Sequence, residues 1–360
     1  ITCGTFGKVI LNATSILEEA ENVENNISYK QFQNKPVFVV LLGLSNGAVL
    51  FADAASGTSL TDAPLYCSET TKRPIVDVSL DATGTVLSAI DGNGNCSVWI
   101  VSFRLAYESP RRRNHPRAPA QSTSLTSYFW GKLTPQPQRQ SEETEEDEEL
   151  VPTLSVVDMK LQTIIYFKRE FGVPTGTILD PNYRKSQKLV TVFDNGKIVL
   201  SSRNWMRAAE HMTLSYTGPV TDANYKGIES IAWRGNLLAF CDCSGIKLYD
   251  IAHIKPVAHV DRPAGVEANQ IASLCFETSD SLLVAWGDCL MNLVVADHPI
   301  NSTEPAVTRR RTVSCKMAWA LDCVAAGVAP LYSQHILILG YYEDSLDLQI
   351  MDRNNGNVIY

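Results

Sequence analysis

The sequence predicts an all-β chain, a seven-bladed WD40-like β-propeller, on three observations: one hairpin motif recurs seven times, its turn glycines are mostly 40 to 49 residues apart, and helix-period stretches are scarce. The motif is an apolar run, a turn of Ser, Asp, Asn and Gly, then alternating strand residues. Its copies open at Gly4, Gly43, Asp91, Phe193 and Cys243, with looser ones around Trp286-Gly287-Asp288 and Tyr342-Glu343-Asp344. The spacing matches the period of about 40 to 45 residues of a four-stranded propeller blade.

Each part of the motif has a physical reason. Glycine reaches positive φ without steric cost, as tight hairpin loops need, and the flanking β-branched and aromatic residues suit a half-buried pleated surface. A final hairpin is copied seven times with nothing ahead of the first, so the N-terminal strands of blade one are expected to be missing, leaving an unpaired seam. The expected organisation is blades 1–3 in residues 1–103, a disordered charged insert in 104–155, and blades 4–7 in 156–360.

The insert accounts for the one long interval, 102 residues between Gly94 and Gly196. It opens on Pro110-Arg111-Arg112-Arg113 and closes on seven acidic residues between Glu142 and Glu149, the block charge of a disordered segment. Within it Leu125, Phe129 and Leu133 stand at i, i+4 and i+8, beside Trp130 and opposed by small hydroxyl residues. That stripe reads as a short linear motif for a partner's groove, or as a weak interfacial, lipid-packing-sensing helix.

Composition excludes several functions. A net charge of -8 lacks the clustered cations that nucleic acid needs, so no nucleic-acid partner is expected. The longest apolar run, Val37 to Leu44, is far short of the roughly 20 residues that span a bilayer. The chain opens on Ile1 rather than Met and reads as a fragment. Nine cysteines without framework spacing read as reduced thiols in a cytoplasmic protein, and sequons at Asn12, Asn26, Asn95 and Asn301 are read as unglycosylated.

No catalytic constellation emerges, and neither a cofactor nor a metal is expected. Gly43-Leu44-Ser45-Asn46-Gly47 fits the nucleophile-elbow pattern, but Ala48-Val49-Leu50-Phe51 continues as strand where the elbow needs a helix. Cys241-Asp242-Cys243 offers half a zinc site with no second pair, so its thiols are read as buried strand residues. Arg309-Arg310-Arg311-Thr312 is expected to cap a solvated loop or to engage an acidic partner or phospholipid.

A more specific signal lies in the second half. Asp180-Pro181-Asn182-Tyr183, Arg203-Asn204-Trp205-Met206, Trp233-Arg234-Gly235-Asn236 and Val284-Ala285-Trp286-Gly287 follow one another in adjacent blades. From Asp180 to Asp297 the chain resembles the propeller of the vacuolar protein sorting-associated protein 41 family, a subunit of the HOPS membrane-tethering complex. The residues that carry the likeness are Arg203, Trp205, Met206, Trp233, Arg234, Gly235, Trp286 and Gly287, with Trp205 and Trp233 read as packing residues. The family's α-solenoid and zinc-binding RING-like region have no counterpart here.

The resemblance implies a non-enzymatic, peripheral module at the late endosome, lysosome or vacuole membrane. Its implied partners are the other HOPS subunits, a late-endosomal Rab GTPase and adaptor protein complex 3. The alternative from composition and repeats alone is a generic WD40 scaffold that recruits signalling or ubiquitin-ligase partners.

Overall fold

A computed structural model describes residues 3–10, 36–53, 58–61, 65–67, 73–108, 151–203, 209–216, 227–267, 269–298, 310–331, 333–342 and 345–359. They form antiparallel sheets in two compact units, residues 1–166 and 167–360. Among them no helix is long and apolar enough to cross a membrane.

The first unit holds two four-stranded sheets. One is β1 (Cys3–Ile10), β2 (Pro36–Gly43), β3 (Ala48–Asp53) and β4 (Leu65–Tyr66) in that order. The other is β5 (Ile75–Leu80), β6 (Val86–Asp91), β7 (Cys96–Glu108) and β8 (Val151–Ile165). They pack through Val39, Leu41, Val49 and Phe51 on one side and Ile75, Val78, Leu87, Ala89 and Phe103 on the other. Phe51 and Phe103 meet edge to face at 5.9 Å, a favoured aromatic geometry.

The second unit begins with β9 (Pro174–Leu179), a one-turn helix α1 (Tyr183–Ser186), β10 (Lys188–Phe193), β11 (Lys197–Arg203) and β12 (Ala209–Tyr216), the four strands making one sheet. Next come β13 (Ser230–Arg234), β14 (Leu237–Asp242), β15 (Gly245–Asp250) and β16 (Lys255–Asp261). The last sheet has five strands: β17 (Ser273–Phe276), β18 (Ser281–His298), β19 (Arg310–Leu331), β20 (His335–Tyr342) and β21 (Ser345–Asp352).

The blade count therefore departs from the expectation: the described residues form five sheets, not seven. Two mergers account for the difference. The first motif copy is β1 itself, paired along its length with β2 from Cys3↔Gly43 to Ile10↔Pro36, so it shares a sheet with the second copy. The strands expected to be missing from the first blade are not missing, since β1 to β4 complete a four-stranded sheet. The sixth and seventh copies also share one sheet, because β18 continues through Trp286-Gly287-Asp288 with an irregularity in register rather than a turn, and β19 pairs first with β18 and then with β20.

The boundaries of the insert shift as well. β7 and β8 stay in register from Cys96↔Ile165 out to Glu108↔Val151, so residues 104–108 and 151–155 are strand rather than insert. Residues 109–150, including Leu125, Phe129, Trp130, Leu133 and the acidic run, lie outside the described residues.

Where the motif falls on described hairpins, its turn chemistry holds. Gly47 has φ 83° and closes the β2–β3 turn, its N–H donating to Leu44 O at 3.1 Å while Asn46 Oδ1 accepts from Ala48 N. In the β6–β7 turn the Asp91 carboxylate accepts from the N–H groups of Asn93 and Asn95 and from Asn95 Nδ2 at 3.0 Å, which ties the side chain of that sequon to the turn. A Cβ at position 47 would have to enter the left-handed region, so Gly47→Ala is expected to lower stability by about 1–2 kcal/mol, read as a lower urea midpoint at unchanged slope.

Candidate functional site

The likeness-bearing residues cluster at the ends of strands in the second unit. Trp233, near the end of β13, is 7% exposed and sits in an apolar cluster with Val190, Ile198, Leu238 and Phe240. Its indole N–H reaches across the β13–β14 turn to Gly235 O at 3.0 Å, satisfying the one polar atom of a buried ring. Gly235 has φ 56° with open space where a Cβ would stand, so the backbone conformation and not crowding selects glycine there. Arg234 is exposed at this turn, yet Nη1 donates to Phe276 O at 3.1 Å and ties the turn to β17 of the next sheet.

Trp286 is fully buried in β18 and donates from Nε1 to Gln270 O at 2.9 Å, pinning the segment that precedes β17. The neighbouring Gly287 has φ 62°, and a Cβ there would lie 2.5 Å from Gln270 Oε1, so this side-chain-free position lets the segment close over the indole. Arg203 ends β11, half-buried, with its N–H on Gln187 O at 3.2 Å. Trp205 and Met206 lie outside the described residues. Among the described members, Trp233 and Trp286 pack between sheets and Arg234 bonds from one sheet to the next, while the backbone bond of Arg203 lies within its own sheet.

The residues considered for chemistry are placed otherwise. Ser45 is exposed in the β2–β3 hairpin turn and β3 begins at Ala48, so the nucleophile-elbow reading fails on geometry. Cys241 is fully buried in β14, where burial first and then the Glu229 and Asp242 charges push its thiol well above the usual range. Cys67 is likewise pushed up by burial, to about 12. Such thiols stay protonated at neutral pH and are poor ligands and nucleophiles. No group of three or more His, Cys, Asp or Glu side chains suited to a metal occurs among the described residues.

Two buried carboxylates form networks that residue spacing alone does not reveal. Asp242 accepts from Ser244 N at 2.9 Å, Ser244 Oγ at 2.5 Å and Lys247 Nζ at 2.6 Å. Asp250, only 2% exposed, accepts from Ala252 N, His253 N, His253 Nδ1 and Arg311 Nη1 at 2.9 to 3.1 Å. Arg311 also donates from Nε to Asp297 Oδ1 at 2.8 Å, its cross-strand partner in the β18–β19 ladder. The expectation of a solvated, loop-capping arginine run is corrected here: Arg310 to Thr312 are strand, and Arg311 is spent on two of the chain's own carboxylates.

Burial alone would raise the Asp250 carboxyl, but the His253 hydrogen bonds and the Arg311 charge outweigh it and hold the group below the usual carboxylate range. A depressed carboxylate stabilises the fold above its unfolded pKa, and that contribution is lost as pH falls through the folded value. Asp250→Asn is therefore expected to cost about 2 kcal/mol at pH 7, with a flatter loss of stability below about pH 4 than the parent chain, measured by urea titration at each pH.

Comparisons with known proteins add identity to this geometry. Residues 151–358 match the family model Beta-prop_Vps41, described as the Vps42 β-propeller. The vacuolar protein sorting-associated protein 41 homologue of Danio rerio is 27% identical over 198 residues, 53% of this chain and 22% of that protein. The homologues of Arabidopsis thaliana and Homo sapiens are 26% and 24% identical over 45% and 49% of this chain, covering 16% and 20% of their own lengths. The chain thus spans about a fifth of the length of these curated relatives. Among solved structures, the β-propeller domain of Cps50 (Swd1) from Myceliophteria thermophila aligns over 89% of this chain and 82% of its own at a TM-score of 0.53 and 13% identity, which shows the all-β propeller fold. The family match covers more than half of the chain, every described likeness-bearing residue lies within it, and the chain belongs to the Vps41 β-propeller family.

Proposed function

We propose that this chain is the partner-binding propeller of a HOPS-type membrane-tethering subunit, acting in vesicle docking and fusion at the late endosome, lysosome or vacuole. The observation that carries the reading is the family match over residues 151–358, with Trp233-Arg234-Gly235 and Trp286-Gly287 inside it. A rigid β framework suits the role, because a broad docking surface needs fixed loops and no bond chemistry. The module is read as non-enzymatic, and its partners as the other HOPS subunits, a GTP-loaded late-endosomal Rab GTPase and adaptor protein complex 3.

In this reading the framework residues Trp233, Arg234, Gly235, Trp286 and Gly287, with Arg203, hold the shape of the surface rather than touch the partner. Leu125, Phe129, Trp130 and Leu133 supply a separate short motif toward a partner groove or a membrane. The protein then sits in the cytoplasm, peripheral to its target membrane.

The test is a pull-down of the protein, as its own cells produce it, against the late-endosomal Rab locked with GTP or GDP. Retention on the GTP form about tenfold above the GDP form, together with recovery of the other tethering subunits, is the expected result. Equal retention on both forms without those subunits would overturn the reading and leave a scaffold for other partners.

A further inference from the structure

The second unit contains a cleft of about 670 Å³, inside the range of roughly 300–1,000 Å³ typical of small-ligand sites. It lies between the β17–β18 turn, strands β18 and β19, and the turn that follows β21, so every residue lining it belongs to that unit. Val294, Met317 and Pro330 form an apolar wall, Lys316 is exposed, and Arg353 enters from the turn after β21. The backbone fixes where Arg353 starts: its N–H donates to Gln334 O at 2.9 Å, and the Asp352 carboxylate caps the turn by accepting from Asn354 N at 2.7 Å.

Only part of the Arg353 guanidinium is used by the fold. Nη1 pairs with Glu277 Oε1, while Glu277 Oε2 lies 3.1 Å from Ser281 Oγ, which in turn meets Asn292 Oδ1 at 2.9 Å, so both Glu277 oxygens are engaged. Nε and Nη2 are buried and find no partner among the described residues. They share one edge of the planar group, where two parallel N–H bonds are spaced to meet both oxygens of a carboxylate. Buried donors left unmet are costly, the more so on a charged group. Arg353 keeps 17% of its side chain exposed while lining the cleft, so the cleft is the route by which a partner reaches that edge.

We infer that the cleft binds a ligand bearing a single carboxylate on an apolar stem, with the carboxylate on Nε and Nη2 of Arg353 and the stem along Val294, Met317 and Pro330. Charge favours a carboxylate over a phosphate. The ionisable side chains lining the cleft, Glu277, Asp280, Lys316 and Arg353, sum to zero, so each negative charge added is uncompensated and a monoanion is preferred to a dianion. The exposed Lys316 ammonium draws the anion toward the opening. Such a site is independent of the tethering role.

The test is an NMR titration of the full chain that follows the Nε–H signal of Arg353 and the methyl signal of Met317. The probes are 4-methylpentanoate and the acetylated, amidated dipeptide Leu-Glu, each beside its carboxamide counterpart. Saturable shifts of both signals are expected with the carboxylates and not with the carboxamides. Arg353→Lys is expected to weaken binding about tenfold, read at Met317, because a point charge keeps the Glu277 pair but cannot form the fork. Lys316→Gln, at an exposed position, is expected to weaken it about threefold and serves where Arg353→Lys fails to fold. Binding of 4-methylpentanoate at least as tight as that of the dipeptide marks small carboxylic acids as the natural class, and tighter binding of the dipeptide marks an acidic peptide; both uphold the site. Equal shifts with the carboxamides, tighter binding of inorganic phosphate, or an unmoved Nε–H at about 20 mM of either carboxylate would overturn it.

Discussion

Burial of both faces of the central strands is the constraint on which the rest of this molecule depends. Every residue of β6, from Val86 to Asp91, and every residue of β14, from Leu237 to Asp242, is buried. A strand in that position cannot alternate apolar and polar residues. It must offer apolar side chains to two neighbouring layers at once, as β14 does with Leu238 and Phe240 on one side and Ala239 and Cys241 on the other. At roughly 1.5–3 kcal/mol per large apolar side chain, these faces supply most of what opposes chain entropy.

Layers held by featureless apolar contact need something else to fix their turns and their mutual registry. Buried carboxylates provide it. Asp81 accepts from Thr83 Oγ1, Thr85 N and Val86 N, Asp91 closes the β6–β7 turn, and Asp242 and Asp250 do the same around β15. Each replaces lost water with several directed donors, so its burial is compensated and its turn has one geometry. The indoles of Trp233 and Trp286 add direction of the same kind, since each places its single N–H on a backbone carbonyl of its own turn or of the segment leading into its own sheet.

This division of labour bears on function. The likeness-bearing residues that are described belong to the frame: Trp233 and Trp286 are buried, and Arg234, exposed at its turn, is tied to Phe276 O. Burial pushes the thiols of Cys67 and Cys241 up, and the Gly43 to Gly47 match to the nucleophile-elbow pattern is a hairpin turn. The surface of such a module varies through its loops while the layers beneath stay fixed.

Much of this was legible in the residues alone. Turn glycines and aspartates, the near absence of helical periodicity and the Trp233-Arg234-Gly235 element determined the all-β class, the hairpins and the family, because turn conformation and strand propensity are local properties. The number of sheets was not local. Whether Gly4 to Ile10 opens a blade of its own or pairs with Pro36 to Gly43, and whether the chain turns or continues as strand through Trp286-Gly287-Asp288, depends on which strand lies alongside. The same holds for Arg311, whose partners Asp250 and Asp297 are 61 and 14 residues away in sequence. Strand register and long-range ion pairs are decided only when the layers assemble, since the energy that selects them comes from contacts between residues far apart in the chain.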